Sequence, residues 1–230
     1  MKNGSGIEAS RVSLTWGKPP APGPSKARTS VAKRAVDLVL AIPLLILISP
    51  LMLIVAVMVK LGDKGPALFV QQRCGVNGAM FPCMKFRTMR VDAAERLERL
   101  LATDQAAADE WAKYQKLKRD PRITLIGGFL RKSSLDELPQ LLNIIRGDMS
   151  VIGPRPITSG EIYRYGQNFH YYSAVRPGVL GLWQVNGRNS LTYDQRVEMD
   201  IQYSRDWTFI SDIKIFLKAI PAVLFGKDAY

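Results

Sequence analysis

The sequence predicts an α+β protein that is mostly helical. A re-entrant membrane helix (helix-break-helix) lies near the N-terminus, and a small cytosolic domain with a β-hairpin and interfacial amphipathic helices follows. Residues 38–59 form an apolar run without a charged side chain. Asn77-Gly78 separates two short apolar runs, which is a strong hairpin-turn signal. Elsewhere apolar residues recur at helical spacing, and 230 residues suffice for one main domain.

The chain carries a strong excess of positive charge. It has 32 Lys and Arg residues against 20 Asp and Glu residues, a formal net charge of +12. Such a surplus favours nucleic acid, anionic lipid headgroups or phosphorylated substrates as partners. Residues 1–32 are rich in Gly, Pro, Ser and basic residues and lack an apolar core. We therefore expect a disordered basic tail there rather than a secretory signal.

The composition excludes metal chemistry that depends on clusters of cysteine or histidine. The chain has two cysteines, Cys74 and Cys83, and one histidine, His170, which are too few for a zinc site with four ligands. We expect the cysteines to be buried, reduced thiols. A metal ion would have to be bound by oxygen atoms, which indicates Mg²⁺.

The apolar run is long enough to cross a bilayer, because an α-helix rises about 1.5 Å per residue. Two features favour a re-entrant helix over residues 33–61 instead. Ser49-Pro50 lies near the middle, where proline breaks the helix and serine can bond a freed carbonyl. Cations flank both ends, and the positive-inside rule cannot place both ends of a crossing helix in the cytosol. A crossing helix is the alternative.

The cytosolic domain is expected to span residues 62–230. In the hairpin, Pro82 confines its strand to a sheet edge, and alternation along that strand places Lys85 and Arg87 on one face. Residues 90–118 keep a helical period with a charged, solvated face. Residues 207–220 form an apolar helical face with lysines beside it, which fits an interfacial helix or a core helix equally well.

Two adjacent carboxylates, Asp136 and Glu137, give the strongest indication of chemistry. Ser134, with Glu137 three residues later, matches a capping box, which alone would make Glu137 structural. The same geometry puts Asp136 in a first helical turn, where the helix N-terminus keeps it ionised. With cations such as Arg131 nearby, this carboxylate can attack phosphorus and form an acyl phosphate. Glu137 beside it can take a proton or bind a metal ion.

Two turns present arginine side chains. Arg155 lies between Pro154 and Pro156, which fix the backbone and prepare the guanidinium for bidentate contact with phosphate. A surface turn with a solvated arginine is the alternative reading. Residues 186–189 form a second turn that presents Arg188, with a weaker signal.

Taken in order, the motifs of this chain resemble the monotopic phosphoglycosyl transferases, a family of bacterial sugar transferases. The motifs are residues 85–89, 131–141, 147–150, 153–156 and 187–189. The resemblance implies a membrane helix broken at Ser49-Pro50 and a Mg²⁺-dependent catalytic domain. It also implies that Asp136 is the nucleophile and a metal ligand and that Glu137 is its partner. The implied phosphate-binding or structural site residues are Lys85, Arg87, Arg131, Arg155 and Arg188.

The resemblance further implies a reaction. A sugar 1-phosphate would pass from a UDP-sugar, with galactose or glucose expected, to undecaprenyl phosphate through a phosphosugar-aspartate, with release of UMP. This would be the first step of exopolysaccharide or related glycan repeat assembly at the cytosolic face of the bacterial inner membrane. The implied partners are membrane lipids and downstream glycosyltransferases, and a homo-oligomer is left open.

Other readings explain less of the sequence. A catalytically inactive membrane scaffold of a polysaccharide assembly complex is the main alternative, and the intact acid pair disfavours it. A nucleic-acid-binding module would leave residues 38–59 unexplained and shows no recognisable binding motif, so we expect no nucleic acid partner. Direct transfer, in which the acid pair only activates the lipid phosphate, is the alternative mechanism.

Overall fold

The computed structural model describes residues 25–114, 116–187 and 190–224, and this part of the chain is mostly helical, as predicted. Its strands form two sheets: antiparallel β1 Leu68–Cys74 with β2 Met80–Phe86, and parallel β3 Ser150–Ile152 with β4 Gly178–Leu180. The helices are α1 Lys26–Thr29, α2 Val31–Gly62, α3 Ala93–Thr103, α4 Gln105–Tyr114, α5 Leu125–Lys132, α6 Gln140–Arg146, α7 Ile162–Tyr165, α8 Phe169–Ser173, α9 Leu182–Val185, α10 Tyr193–Arg205 and α11 Phe209–Leu224.

The predicted tail, residues 1–32, is partly structured. Its first 24 residues lie outside the described part of the chain, but α1 and the start of α2 fall within it. Ala27 is buried in a cluster with Ile152 and Val175. Arg28 donates a hydrogen bond to the Asn77 side chain in the hairpin turn at 2.8 Å. The folded part therefore begins several residues earlier than the sequence predicts.

Helix α2 carries the apolar run and is the one helix among the described residues that is long and apolar enough to cross a membrane. It continues from Val31 to Gly62, so the predicted helical break at Ser49-Pro50 is wrong. Pro50 has no amide hydrogen for the Ile46 carbonyl, and the Ser49 hydroxyl donates to that oxygen instead, at 2.9 Å. The serine replaces the lost bond, as expected, and this contact helps the helix to continue.

One face of α2 packs against the rest of the protein along most of its length. Toward its start it adjoins a buried cluster that includes Ile144 and Met149, and toward its end it adjoins Phe86 and Leu130. Ala56 adds a contact at one edge, and the other α2 residues involved are Ala41, Leu45, Ile48, Met52, Val55 and Val59. They fall three or four positions apart and so form one helical stripe. The other faces stay uncovered, and Leu47 is 77% exposed.

Polar side chains fix the N-terminal end of α2 to strand β3. Lys33 Nζ donates to the Ile152 carbonyl at 2.9 Å and pairs with Asp212 Oδ2 of α11 at 2.5 Å. Asp37 Oδ1 accepts hydrogen bonds from the Ser150 hydroxyl and from the next backbone amide, both at 2.9 Å. Because buried charges are costly unless they are paired, these contacts determine how α2 sits on β3.

The hairpin forms as predicted. Asn77 (φ 56°) and Gly78 (φ 73°) adopt the left-handed conformation that a tight hairpin turn requires. Pro82 is tolerated because both strands of a two-stranded sheet are edges. The prediction that Lys85 and Arg87 share a face is wrong, because β2 ends before Arg87, whose side chain reaches the end of α2.

The other helices differ from the sequence expectation in detail. Residues 90–118 form two helices, α3 and α4, because the chain turns at Asp104, whose side chain accepts from the Ala107 amide at 3.0 Å and starts α4. Helix α11 has a buried face, as a core helix does, and an exposed apolar face, so the interfacial role stays a prediction. Ile215 is 3% exposed in the core, whereas Ile210 is 63% exposed and Leu217 is 58% exposed.

We predict that Asp212→Ala strongly destabilises the fold. It leaves Lys33 buried without its partner, since both side chains are only 9% exposed, and such a loss costs roughly 3–5 kcal/mol. Thermal unfolding in nonionic detergent measures the effect. The double variant Lys33→Met with Asp212→Leu should recover much of the loss. Glu95→Ala, which removes an exposed ion pair with Arg99, is the control and should cost less than about 1 kcal/mol. Equal destabilisation by Asp212→Ala and Glu95→Ala would contradict this account.

Candidate active site

Glu137 of the acid pair lines a cleft in which four sequence-distant segments meet, whereas its chain neighbour Asp136 is not among the lining residues. Lys85 Nζ, on β2, donates to Glu137 Oε1 at 2.5 Å, with both side chains about three-quarters buried. Glu137 ends the 3₁₀ turn Leu135–Glu137 that follows α5. The cleft is lined by Arg73, Cys83, Lys85, Glu137, Gln140, Arg155, Pro156, Gly178 and Val179. The structure thus brings together Lys85, Glu137 and Arg155, as the sequence predicts.

Glu137 is held as an anion. Burial raises the pKa of this carboxyl, but the positive charges of Lys85, Arg155 and Arg73 outweigh burial and leave the pKa below its ordinary value. A carboxylate held this tightly by lysine positions that cation and adds negative charge next to Asp136.

Asp136 behaves differently from the sequence expectation. Burial raises its pKa above the ordinary value, the Glu137 charge adds to this, and Lys85 and Arg131 only partly oppose it. The predicted capping box is wrong, since Ser134 has φ 57°, outside the extended region that an N-cap residue adopts, and its side chain caps nothing. The carboxyl is therefore the more basic of the two, and a more basic carboxylate is a stronger nucleophile once it is ionised.

Arg155 is placed by a close backbone approach between the ends of β3 and β4. A Cβ atom on Gly153 would lie 2.4 Å from a carbonyl oxygen of the opposite segment, and one on Gly178 would lie 2.1 Å from the Gly153 nitrogen. The Gly178 amide donates to the Pro154 carbonyl at 2.8 Å, and the Tyr172 hydroxyl donates to the Arg155 carbonyl at 3.3 Å. Among the described residues, the Arg155 guanidinium forms no ion pair with a carboxylate. It is thus available to an anion in the cleft.

Two residues that line the cleft, Arg73 and Gln140, were missed by the sequence reasoning. The Arg73 guanidinium donates to the Pro156 carbonyl at 3.0 Å and so braces the segment that carries Arg155. Strand register would have identified it: Phe69 pairs with Lys85, and Arg73 lies four residues from Phe69, on the same face of the sheet. Gln140 gave no such signal, because its position depends on where α6 begins.

The other predicted site residues lie outside the cleft lining. Arg131 Nε donates to the Thr88 hydroxyl at 2.8 Å, and its charge lowers the pKa of Asp136, so it lies near the acid pair. Arg87 is buried and donates to the Asp63 carbonyl at 3.2 Å, a contact that holds the end of α2 to the end of β2. Arg188 falls outside the described residues.

The acid pair suits Mg²⁺ only in combination with a phosphate-bearing ligand. No group of three or more His, Cys, Asp or Glu side chains within the described residues could hold a metal ion. Asp136 and Glu137 still offer two adjacent carboxylates, and Mg²⁺ is commonly bound by one or two carboxylates together with substrate phosphates. Cys83 lines the cleft, but burial raises the pKa of its thiol, which makes it a poor nucleophile. Both cysteines are buried and free, as expected.

Comparison with known proteins decides the family. The sequence model for bacterial sugar transferases matches residues 28–226, which include every residue of the cleft. The chain belongs to the bacterial sugar transferase family. The resemblance seen in the sequence motifs is therefore confirmed.

Named relatives of this sugar transferase cover most of the chain. The undecaprenyl-phosphate galactose phosphotransferase of Salmonella typhimurium is 48% identical over 206 residues, which are 90% of this chain and 43% of that protein. The exopolysaccharide production protein ExoY of Sinorhizobium fredii is 44% identical over 200 residues, 87% of this chain and 88% of that protein. The UDP-glucose:undecaprenyl-phosphate glucose-1-phosphate transferase of Escherichia coli is 38% identical over 206 residues, which are 86% of this chain and 41% of that protein. The chain thus spans less than half of the Salmonella and Escherichia proteins and most of the rhizobial one.

We predict that Gly153→Ala destabilises this sugar transferase by roughly 1–3 kcal/mol, because its Cβ atom would lie 2.4 Å from a backbone oxygen that cannot move without parting β3 from β4. Gly160→Ala is the matched control, since its Cβ would lie 3.9 Å from its nearest neighbour, the Thr158 hydroxyl, an ordinary van der Waals contact. Thermal unfolding in nonionic detergent compares the two. Equal stability of both variants would show that the close approach does not constrain the Arg155 segment.

Proposed function

We propose that this protein transfers a sugar 1-phosphate, of galactose or glucose, from a UDP-sugar to undecaprenyl phosphate, giving undecaprenyl-diphosphate-sugar and UMP. The product would begin an exopolysaccharide or related glycan repeat. The observation that carries the proposal is the acid pair beside a cleft lined by Lys85, Arg73 and Arg155. The cleft supplies cations that can bind a diphosphate, and Asp136 supplies a basic carboxyl that can attack phosphorus. The names of the Salmonella and Escherichia relatives support this reaction class.

In the first step an oxygen of the Asp136 carboxylate attacks the phosphorus that bears the sugar. The new oxygen–phosphorus bond forms an aspartyl phosphosugar, and the bond from this phosphorus to the bridging oxygen breaks. UMP leaves with that oxygen and its electron pair. The raised pKa of Asp136 favours this role, because the more basic carboxylate is the better nucleophile.

The cations of the cleft offset the negative charge that builds up during this step. Arg155 binds the diphosphate, for which its planar guanidinium supplies paired donors. Arg73, which also bonds the Pro156 carbonyl, adds positive charge beside it. Lys85 is bound to Glu137, and its charge also acts on Asp136. It therefore reduces repulsion between Asp136 and the incoming phosphate.

In the second step a phosphate oxygen of undecaprenyl phosphate attacks the same phosphorus. The bond to Asp136 breaks, the carboxylate is regenerated, and the diphosphate of the lipid-linked product is formed. The two steps constitute a ping-pong mechanism, so UMP is released before the acceptor reacts.

Magnesium fits this site as a partner of the donor diphosphate. Asp136, with Glu137 beside it, would hold the ion together with oxygens of the diphosphate. When bound, the ion supplies positive charge at the diphosphate oxygens.

The contacts of α2 support a membrane helix that does not cross the bilayer and whose two ends both face the cytosol. Lys33 near its start and Val59 near its end both pack on the same folded domain. A crossing helix would separate its ends by about 30 Å of hydrocarbon, and the domain would have to follow it through the bilayer. The uncovered apolar side chains of α2 and α11 would lie in the cytosolic leaflet of the inner membrane.

We predict a covalent sugar phosphate on Asp136. Protein incubated with UDP-sugar labelled in the sugar, without lipid acceptor, should yield a labelled peptide that contains this residue. Asp136→Asn should lose at least about 10³-fold in the rate of UMP release, because an amide is a poor nucleophile. Thr103→Ala, an exposed change on α3, is the control. Full turnover without any labelled peptide would remove the ping-pong mechanism, and absence of turnover with all UDP-sugars would favour an inactive scaffold.

We predict that the acid limb of the pH profile of kcat/KM has its midpoint above pH 4, the ordinary pKa of aspartate being about 4, because Asp136 must be ionised and its pKa is raised. Activity should therefore fall as the pH falls through this raised pKa. Lys85→Met removes a charge that lowers the pKa of Asp136, so the limb should move to still higher pH. Lys116→Met changes an exposed lysine outside the cleft and should leave the limb in place. A limb that moves to lower pH in Lys85→Met would contradict the assignment.

We predict that UMP release requires Mg²⁺. Excess chelator should abolish UMP release, and added Mg²⁺ should restore it, because two adjacent carboxylates beside a diphosphate need a counter-charge. Unfolding temperatures measured with and without chelator serve as the control for a loss of fold. Unchanged activity in chelator would exclude the ion from the reaction.

A further inference from the structure

A second groove lies on the outer face of α5, separate from the cleft. Leu125 is 97% exposed and Phe129 is 62% exposed. The two side chains lie four residues apart and therefore on one helical face. The groove is lined by Arg90, Ile123, Thr124, Leu125, Gly128, Phe129 and Lys132. Large apolar side chains this exposed at adjacent positions indicate a surface with a hydrophobic partner.

The opposite side of α5 shows where that partner would be found. Leu130 is 1% exposed and packs with Val55 and Val59 near the end of α2. Gly127 lies against the Thr88 carbonyl, which a Cβ atom would approach to 2.0 Å. Helix α5 therefore packs tightly against the C-terminal end of α2. The groove therefore lies beside the segment that would enter the membrane.

The charges of the groove complement an anionic head group. Arg90 and Lys132 are both exposed and both line the groove together with the apolar side chains. A molecule with a long apolar chain and a phosphate satisfies both kinds of surface. Such a molecule is an amphiphile of the membrane rather than a soluble nucleotide.

Helix α5, which borders the groove, ends close to the acid pair. Helix α5 ends at Lys132 and packs against the turn Leu135–Glu137 that contains Asp136. Arg131, next to Lys132 in the chain, is near enough to Asp136 to lower its pKa. The groove shares no lining residue with the cleft that we assign to the UDP-sugar. A lipid in the groove would therefore not displace the cleft residues that we assign to the donor.

We propose that the α5 groove is the binding site for the lipid acceptor, with its isoprenoid chain on Leu125 and Phe129 and its phosphate drawn to Lys132 and Arg90. This inference rests on the proposed function, because it assigns one of the two substrates of that reaction. A structural phospholipid is the less favoured occupant. A structural phospholipid does not need to bind next to the acid pair. Helix α11 has a similar apolar and basic surface, with Ile213 exposed and Lys214 next to it, where such a lipid could bind equally well.

The first test is kinetic and uses the full chain in nonionic detergent micelles without phospholipid. Leu125→Ser with Phe129→Ser should raise the KM for undecaprenyl phosphate about tenfold or more, which corresponds to about 1.4 kcal/mol, and leave the KM for UDP-sugar unchanged. The matched control is Ile213→Ser with Leu217→Ser on α11, which are also exposed apolar residues. Equal increases in the two double variants, or none in the α5 variant, would overturn the proposal.

Lys132→Gln leaves the apolar surface intact and should raise the KM for undecaprenyl phosphate at least threefold.

The second test measures binding without turnover. Undecaprenyl phosphate, added without UDP-sugar, should raise the unfolding temperature of the wild type and of the α11 variant but not of the α5 variant. Phosphatidylglycerol and undecaprenol, which lacks the phosphate, should each give less than half of that rise. Equal stabilisation by phosphatidylglycerol would show a general anionic-lipid surface and overturn the proposal. A wild type that binds undecaprenyl phosphate yet releases no UMP with any UDP-sugar would defeat the proposed reaction while leaving the groove a lipid site.

Discussion

Lys33 and Asp37, one turn apart near the start of an otherwise apolar helix, form hydrogen bonds with strand β3. Lys33 also pairs with Asp212 of α11, so helix, strand and C-terminal helix meet at one buried polar contact. Any rotation or sliding of α2 would leave a buried charge unpaired, which costs several kcal/mol. Arg155 follows the end of β3 by three residues. The position of Arg155, which we propose binds phosphate, therefore depends on how α2 packs against β3.

The cleft combines groups that are far apart in the chain. Arg73 and Lys85 come from the two strands of the hairpin, Glu137 from the turn after α5, and Arg155 from the loop after β3. Two neighbouring carboxyls in this setting acquire opposite tendencies: burial raises the pKa of Asp136, whereas cations lower that of Glu137. Such a separation of roles is typical of acid pairs in enzymes. In the proposed mechanism, one carboxylate holds lysine and the other attacks phosphorus.

Features that depend on local chemistry were predictable from the sequence. The hairpin followed from Asn77-Gly78, the acid pair from its two adjacent letters and the arginine turn from its flanking prolines. Features that depend on tertiary contacts were not. The helix was expected to break at Ser49-Pro50, but Ser49 bonds the carbonyl that proline leaves without a donor, and one face of α2 packs on the domain.

The surroundings of the acid pair were also not predictable from the local sequence. The letters around Ser134 match a capping box, but the residue has a positive φ and caps nothing, so the environment of Asp136 is set by burial and not by a helix terminus. Arg87 and Lys85 lie two positions apart, yet the strand ends between them and their side chains reach different elements. For Arg87, a contact with a distant segment, the end of α2, overrode the local pattern.

The central claim is that α2 associates with the membrane without crossing it, so that both of its ends and the cleft lie on the cytosolic side. The most direct test places single cysteines at Lys26, before α2, and at Ala102, on α3, both of which are exposed. The native Cys74 and Cys83 can stay, because they are 0% and 2% exposed, and the wild type reports their background. An impermeant maleimide should label neither new cysteine in intact spheroplasts and both after permeabilisation. Labelling of position 26 alone in intact spheroplasts would mean that α2 crosses the bilayer and would contradict the account.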